Sequence, residues 1–243
     1  MLQKHLQSAL RLVYPPRCSL CDELVENEYG LCGACWRDTP VISGTTCHSC
    51  GVPLPGEFLG GAEICDECLR VERPWSKGHA ALLYRDNGRR MALSLKHGDR
   101  HDIVPLAATF MMRILGTDLP RDMIFVPVPL HWSRMLKRRF NQAGLLAQAV
   151  AQRTEREYCP DALIRRKQTP SLERLSHDER FATLDSAIFP HPKRGSILAD
   201  RPVMIVDDVM TSGATLAEAT KACLAANARD VQVLVLARAA RAP

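Results

Sequence analysis

The stretch Val203-Met204-Ile205-Val206-Asp207-Asp208-Val209-Met210-Thr211-Ser212-Gly213-Ala214-Thr215 decides how the chain is read. Four apolar residues, Val203 to Val206, suit a strand buried on both faces. Two carboxylates, Asp207 and Asp208, follow at its carboxyl end. A small hydroxyl-bearing loop with one glycine comes next, and Ala214 to Ala226 reads as a helix. In open parallel sheets, ligands bind outside the carboxyl ends of the strands. Loop N–H groups and a helix N-terminus together form an anion cradle. Thr211, Ser212 and Thr215 add hydroxyl donors. Adjacent carboxylates beside such a cradle suit a ribose phosphate: they accept from the 2′- and 3′-hydroxyls while the loop holds the 5′-phosphate. The same pattern also fits a structural turn in which Asp207 or Asp208 caps the helix.

Outward from this stretch, strands alternate with helices. Val231–Leu236 follows as a final strand, and Ala162–Ile164 precedes as a short one. Met123–Val126 is another continuous apolar run. It ends where Pro127 and Pro129 can no longer donate ladder hydrogen bonds. A basic loop with Arg134, Lys137, Arg138 and Arg139 follows, then a helix from Asn141 to Arg153. Earlier still, Ala80–Tyr84 reads as a strand, and Gly88–Leu95 and Ile103–Leu115 as helices. The expected class is α/β with a parallel sheet and right-handed crossovers. Leu2, Leu6, Leu10 and Val13 share one face of an amphipathic N-terminal helix.

Ten cysteines among 243 residues need an explanation. Eight form Cys-x-x-Cys pairs: Cys18/Cys21, Cys32/Cys35, Cys47/Cys50 and Cys65/Cys68. A redox pair would occur once, and a disulfide framework belongs to an oxidising compartment. Four pairs in a short stretch punctuated by Gly and Pro indicate two four-sulfur Zn²⁺ sites. Full sulfur ligation leaves no open position, so the two ions are structural. The spacing favours sequential pairing, Cys18/21/32/35 and Cys47/50/65/68, and leaves interleaved pairing open. His48 has no ligand role beside filled sites, and Cys159 and Cys223 read as buried small residues. Residues 1–75 thus form an N-terminal helix and metal-organised module, and 76–243 the α/β domain, with its core at 123–243.

Composition sets further bounds. A chain that is 46% hydrophobic and 24% charged is globular, not disordered. Aromatics at 5% leave few stacking platforms for nucleic acid. Net charge is +5, but residues 1–75 carry 6 basic and 10 acidic side chains, while 131–180 carry 11 and 6. The basic excess lies in the α/β region, where an anionic small molecule or nucleic acid would meet it. No apolar run reaches the ~18–20 residues of a membrane span. Lys4, His5 and Gln7 interrupt the N-terminus where an export signal needs apolar residues, so the expected location is cytoplasmic.

The stretch 203–215 resembles, at every position, the phosphoribosyl diphosphate (PRPP) signature of type I phosphoribosyltransferases. The paired cysteines resemble the ComF family, as do Leu95-Lys96-His97-Gly98, Val126–Leu130, Arg138-Arg139-Phe140-Asn141-Gln142 and Leu172–Arg180, in that order. This family, whose members are labelled competence or GntX-type, joins a double zinc ribbon to a phosphoribosyltransferase-like domain. The resemblance covers nearly the whole chain.

It implies that Asp207 and Asp208 bind the ribose hydroxyls and influence a Mg²⁺ on the diphosphate. Thr211, Ser212, Gly213, Ala214 and Thr215 would cradle the 5′-phosphate. Arg138, Arg139 and Lys167 are the diphosphate candidates. Residues 166–185 occupy the place of a mobile catalytic loop, where Arg166, Arg174 and Arg180 join Lys167. Residues 76–122, with Lys96 and Tyr84, stand where a hood would receive the acceptor. Thr211 replaces the Asp that serves the purine in 6-oxopurine enzymes, and threonine cannot act as that base. Two classes of function follow. One is Mg²⁺-dependent pentosyl transfer from PRPP, or a PRPP-dependent role in DNA uptake. The other is a non-enzymatic protein that binds a nucleotide or single-stranded DNA beside DNA-uptake proteins.

Overall fold

The computed structural model describes residues 14–56, 60–97, 100–116, 118–167, 179, 183–184 and 186–240. The expected helix through Leu2, Leu6, Leu10 and Val13 lies outside these, as do Gly98, Arg174, Arg180 and most of 166–185.

Five parallel strands form the central sheet in the order β1 (Lys77–Leu83), β7 (Asp230–Arg238), β6 (Pro202–Met210), β2 (Ile124–Pro127), β3 (Glu157–Tyr158). Their side chains alternate between two faces, both buried. Phe125, Met204, Val206, Leu234 and Leu236 face one apolar cluster; Ile124, Val126, Val203, Ile205, Val233 and Val235 face the other. This is why the strands read as unbroken apolar runs.

The first cluster is completed by helices α3 (Asp86–His97), α4 (Val104–Leu115) and α6 (Gln142–Thr154) through Met91, Leu95, Phe110, Met111, Leu146 and Val150. Helix α7 (Ala214–Ala225) and the antiparallel pair β4 (Leu163–Arg165) and β5 (Ile188–Pro190) cover the second. Chain order across the sheet reverses between β2 and β6. From β2 the chain passes through α6 to β3 on one side; from β6 it passes through α7 to β7 on the other. A crevice at the carboxyl ends of β2 and β6 is the consequence.

The cysteine-rich segment is bound to the edge of this sheet. Val41 makes an antiparallel bridge to Leu82. The Ile42 N–H donates to Ala81 O, the Leu83 N–H to Pro40 O and the Gly78 N–H to His48 O, each at 2.9 Å. These bonds cover β1, which would otherwise expose an unpaired edge. Two one-turn helices, α1 (Gly33–Arg37) and α2 (Asp66–Arg70), each carry the last cysteine of a group.

One expected loop is a helix. Trp132–Arg138 forms α5, capped by the His131 side chain accepting from the Ser133 N–H and closed by Arg139 in the left-handed conformation, φ 66°. Trp132, Met135 and Leu136 carry the helical period, but they face solvent, and the flanking basic residues mask the pattern in the sequence.

Candidate functional site

The carboxylate pair sits where β6 loses a neighbour. Pairing with β2 ends at Pro127 opposite Val206, and the Val128 N–H makes a last bond to Val206 O at 2.9 Å. Strand β6 continues along β7 as far as Met210 opposite Arg238. Asp207 and Asp208 therefore open onto the gap left by β2. Neither caps the following helix: the N-cap of α7 is Gly213, with no side-chain cap bond. Asp207 instead accepts from the Asp208 N–H through Oδ1 at 2.9 Å. Burial, then the adjacent Asp208 charge, holds the Asp207 carboxyl well above the ordinary carboxylate range. Asp208 is buried and ion-pairs with Lys96 Nζ through Oδ2 at 3.6 Å; that oxygen makes no hydrogen bond among the described residues. A buried acceptor left this way invites a donor or a cation.

The loop beyond it turns at Gly213, φ 82°, where a Cβ would come within 3.1 Å of the Trp75 ring and 2.9 Å of Arg73 Nη1. Only glycine suits both the conformation and the space. Thr211 is exposed and Ser212 buried; Ser212 Oγ accepts from the Ala214 N–H at 3.4 Å. The loop leads directly into the N-terminus of α7, whose N-cap is Gly213.

Cations gather on the β2 side. Arg165 ends β4, and its backbone bridges to His131, just before α5. Burial lowers its guanidinium pKa, Arg134 lowers it further and Asp207 opposes both. Arg134 is likewise lowered by burial and then by Arg138. Arg165 thus feels Arg134 and Asp207, and Arg134 feels Arg138. Arg138 also donates to Gln142 Oε1 at 3.3 Å. Arg139 lies exposed at the end of α5, and Lys167 is exposed two residues past β4. Arg166 stacks over the Phe189 ring at 4.9 Å.

Both cysteine groups are assembled, and sequentially. Cys18, Cys21, Cys32 and Cys35 form one, and Cys47, Cys50, Cys65 and Cys68 the other, with all sulfurs of a group within 4.8 Å of one another. Tetrahedral zinc with bonds of ~2.3 Å sets its sulfurs about 3.8 Å apart. The Cys21–Cys32 and Cys50–Cys65 sulfur separations of 3.6 and 3.7 Å match that spacing without rearrangement. The Cys35 N–H points at Cys32 Sγ and the Cys65 N–H at Cys47 Sγ, at 3.5 and 3.3 Å, as in a shell that supports thiolates. These are structural zinc sites.

The comparisons agree with this geometry. Residues 9–69 match the family described as double zinc ribbon domain. Over 236 residues the chain is 31% identical to the DNA utilization protein YhgH of Escherichia coli strain K12, covering 93% of this chain and 99% of that one. It is 30% identical over 219 residues to Competence protein F of Haemophilus influenzae, covering 86% and 91%. The chain belongs to the ComF family.

In this ComF chain, the sequence pattern singles out the carboxylates, the loop and the cysteines, and the structure assembles the cysteines. The pattern does not single out Arg165, and it places Lys96 in the possible hood 76–122, where the structure pairs Lys96 with Asp208. The available signal for Arg165 was the basic triplet Arg165-Arg166-Lys167 closing a predicted strand. Which of the three turns inward depends on the pairing of β4 with β5. Among the described residues no helix is long and apolar enough to cross a membrane.

Proposed function

We propose that the protein binds PRPP at the gap between β2 and β6 and uses it in Mg²⁺-dependent pentosyl transfer, in a process of DNA utilization or uptake. The observation that carries this reading is the pair Asp207 and Asp208, one half-buried and one buried, where the pairing of β6 with β2 ends and just before the 211–215 loop, with Arg165 within the electrostatic reach of Asp207. The carboxylates accept from the ribose 2′- and 3′-hydroxyls. Thr211 to Thr215 hold the 5′-phosphate through loop amides and hydroxyls. The guanidiniums of Arg134, Arg138 and Arg165 take the diphosphate, with Arg139 and Lys167 as outer contributors. As the bond from ribose C1 to the diphosphate breaks, positive charge grows on the ring and negative charge on the leaving group. Fixed arginines stabilise the second without reorganising. Asp207 and Asp208 offer the hard oxygen donors that Mg²⁺ takes together with phosphates, and the ion would neutralise part of the diphosphate charge. Residues 76–122 would present the acceptor to the 123–243 core, in the cytoplasm, with 1–75 as the zinc module.

The names of the relatives concern DNA utilization and competence, which supports a role of this chain in such a process. A second reading rests on α5. There Trp132 is 66% and Leu136 72% exposed, on a helix that also bears Arg134 and Arg138. Aromatic stacking between cations is the usual design for single-stranded nucleic acid.

Calorimetric titration with PRPP of wild type and of a chain carrying Asp207→Asn and Asp208→Asn tests the first reading. A fall of about 100-fold in affinity with an unchanged melting temperature or better is expected; equal affinities would sink it. Reversing Arg138 and Arg139 to Glu separates the two readings. In the first, PRPP affinity falls more than ribose 5-phosphate affinity. In the second, oligonucleotide affinity falls and its salt slope flattens by roughly 0.7 per lost phosphate contact, with PRPP untouched.

A further inference from the structure

Two buried arginines lie beneath the 210–213 loop and donate to its carbonyls; Arg238 Nη1 also donates to Ala239 O. Arg238, whose side chain is 1% exposed, ends β7 and donates from Nη1 to Thr211 O at 2.7 Å and Met210 O at 3.4 Å. Arg73, 2% exposed, donates from Nη1 to Ser212 O at 2.5 Å. One carboxylate holds both: Glu67 Oε1 accepts from Arg73 Nη2 at 3.0 Å, and Glu67 Oε2 from Arg238 Nη2 at 2.9 Å. Glu67 stands on α2 between Cys65 and Cys68, and Arg73 Nε points at Cys68 Sγ at 3.5 Å. From the other half of the same cysteine group, Ser49 O accepts from Trp75 Nε1 at 2.6 Å, and the Trp75 ring backs Gly213.

In a trans peptide the C=O and the next N–H point in opposite directions. Holding the Thr211 carbonyl inward turns the Ser212 N–H outward; holding the Ser212 carbonyl inward does the same for the Gly213 N–H.

We infer that Glu67, Arg73 and Arg238 are positioning residues which aim the Ser212 and Gly213 amides at a ligand phosphate, so that the Cys47/50/65/68 site governs the affinity of the loop. This rests on the reading of 211–215 as a phosphate cradle. It makes phosphate affinity a property of the zinc knuckle as well as of the loop sequence.

The test uses the full zinc-loaded chain, with Glu67→Ala, Glu67→Gln and Arg73→Lys. Three quantities are read: zinc per chain, ribose 5-phosphate affinity by calorimetry, and hydrogen exchange at the Ser212 and Gly213 amides without ligand. Glu67→Ala should keep two zincs, weaken ribose 5-phosphate about tenfold and speed exchange at both amides. Glu67→Gln, which keeps the shape and can accept from one arginine, should fall between it and wild type. If Glu67→Ala loses zinc, Arg73→Lys decides, since Lys keeps the charge but not the fork that spans Glu67 and Ser212. Wild-type affinity and exchange in variants that retain zinc would overturn the inference. A wild type that binds no ribose 5-phosphate would end the ribose-phosphate reading alone, because amide exchange still reports whether the loop is braced.

Discussion

The two cysteine groups have the same ligands, nearly the same spacing and opposite relations to the rest of the molecule. In the first, side chains of the body grip the knuckle. Arg90 donates to Leu20 O at 2.6 Å, Arg100 to Ser19 O at 2.9 Å and Asn87 to Cys35 O at 2.9 Å. Trp36 of α1 stacks on Phe110 of α4, ring centroids 5.9 Å apart. In the second, residues of the knuckle and its flank reach the body: Arg73 holds Ser212 O, and Glu67 holds Arg238 of β7, which donates to Met210 O and Thr211 O. The first group is cargo on the α3 and α4 face of the sheet. The second is part of the frame of the 210–213 loop. Identical metal chemistry thus serves two ends, and the difference lies in the residues between and beside the cysteines.

The largest expected effect breaks this comparison directly. Cys68→Ser and Cys21→Ser should each reduce zinc from two to about one per chain, since a broken site forfeits its metal-coupled folding energy. Only Cys68→Ser should also abolish ribose 5-phosphate binding; Cys21→Ser should leave it within about threefold. Metal analysis beside calorimetry checks both, and equal losses of binding would erase the distinction.

A smaller effect comes from two glycines. A Cβ on Gly78 of β1 would overlap the Ser49 carbonyl oxygen and lie 3.0 Å from Cys50 Cα, whereas one on Gly33 of α1 meets nothing within 4 Å. Gly78→Ala should therefore cost about 1–3 kcal/mol, the usual scale of overpacking, by forcing the second knuckle off the sheet. Gly33→Ala should stay within about 0.5 kcal/mol. Denaturant unfolding of the zinc-loaded variants measures both. A costly Gly33→Ala would mean that the first knuckle is held as tightly as the second.

The smallest effect concerns the carboxylates, which neither knuckle touches. Burial and the Asp208 charge raise the Asp207 pKa above its unfolded value. The folded chain then binds a proton that the unfolded chain releases. The associated stability is complete below the ordinary carboxylate range and is lost as pH rises through the raised value. At pH 7 Asp207→Asn should therefore raise the melting temperature by about 2–4 °C, the equivalent of ~1 kcal/mol in a chain of this size. The gain should shrink as pH falls from 7 toward 5, a range in which the thiolates still hold both zincs. A drop in melting temperature at pH 7 would show that the ionised pair stabilises the apo fold.

Local pattern alone was enough for much of this protein. The runs Met123–Val126 and Val203–Val206 announced strands buried on both faces, because a parallel sheet covered by helices allows no polar alternation. Asp207, Asp208 and the loop 211–215 were legible because a strand, its end and a helix start are contiguous in the chain. The cysteine pairs were legible because each pair binds through neighbouring residues; their grouping was favoured by spacing and is now seen in the assembled sulfurs. Tertiary structure alone decided that α5 is a helix, since its apolar stripe faces solvent. It alone brought Lys96 to Asp208, 112 positions away, and Arg165 to Asp207. It alone joined Glu67 to Arg238 across 171 positions. These pairs depend on the strand order β1-β7-β6-β2-β3, and a single charged residue carries no record of which strand end will be its neighbour.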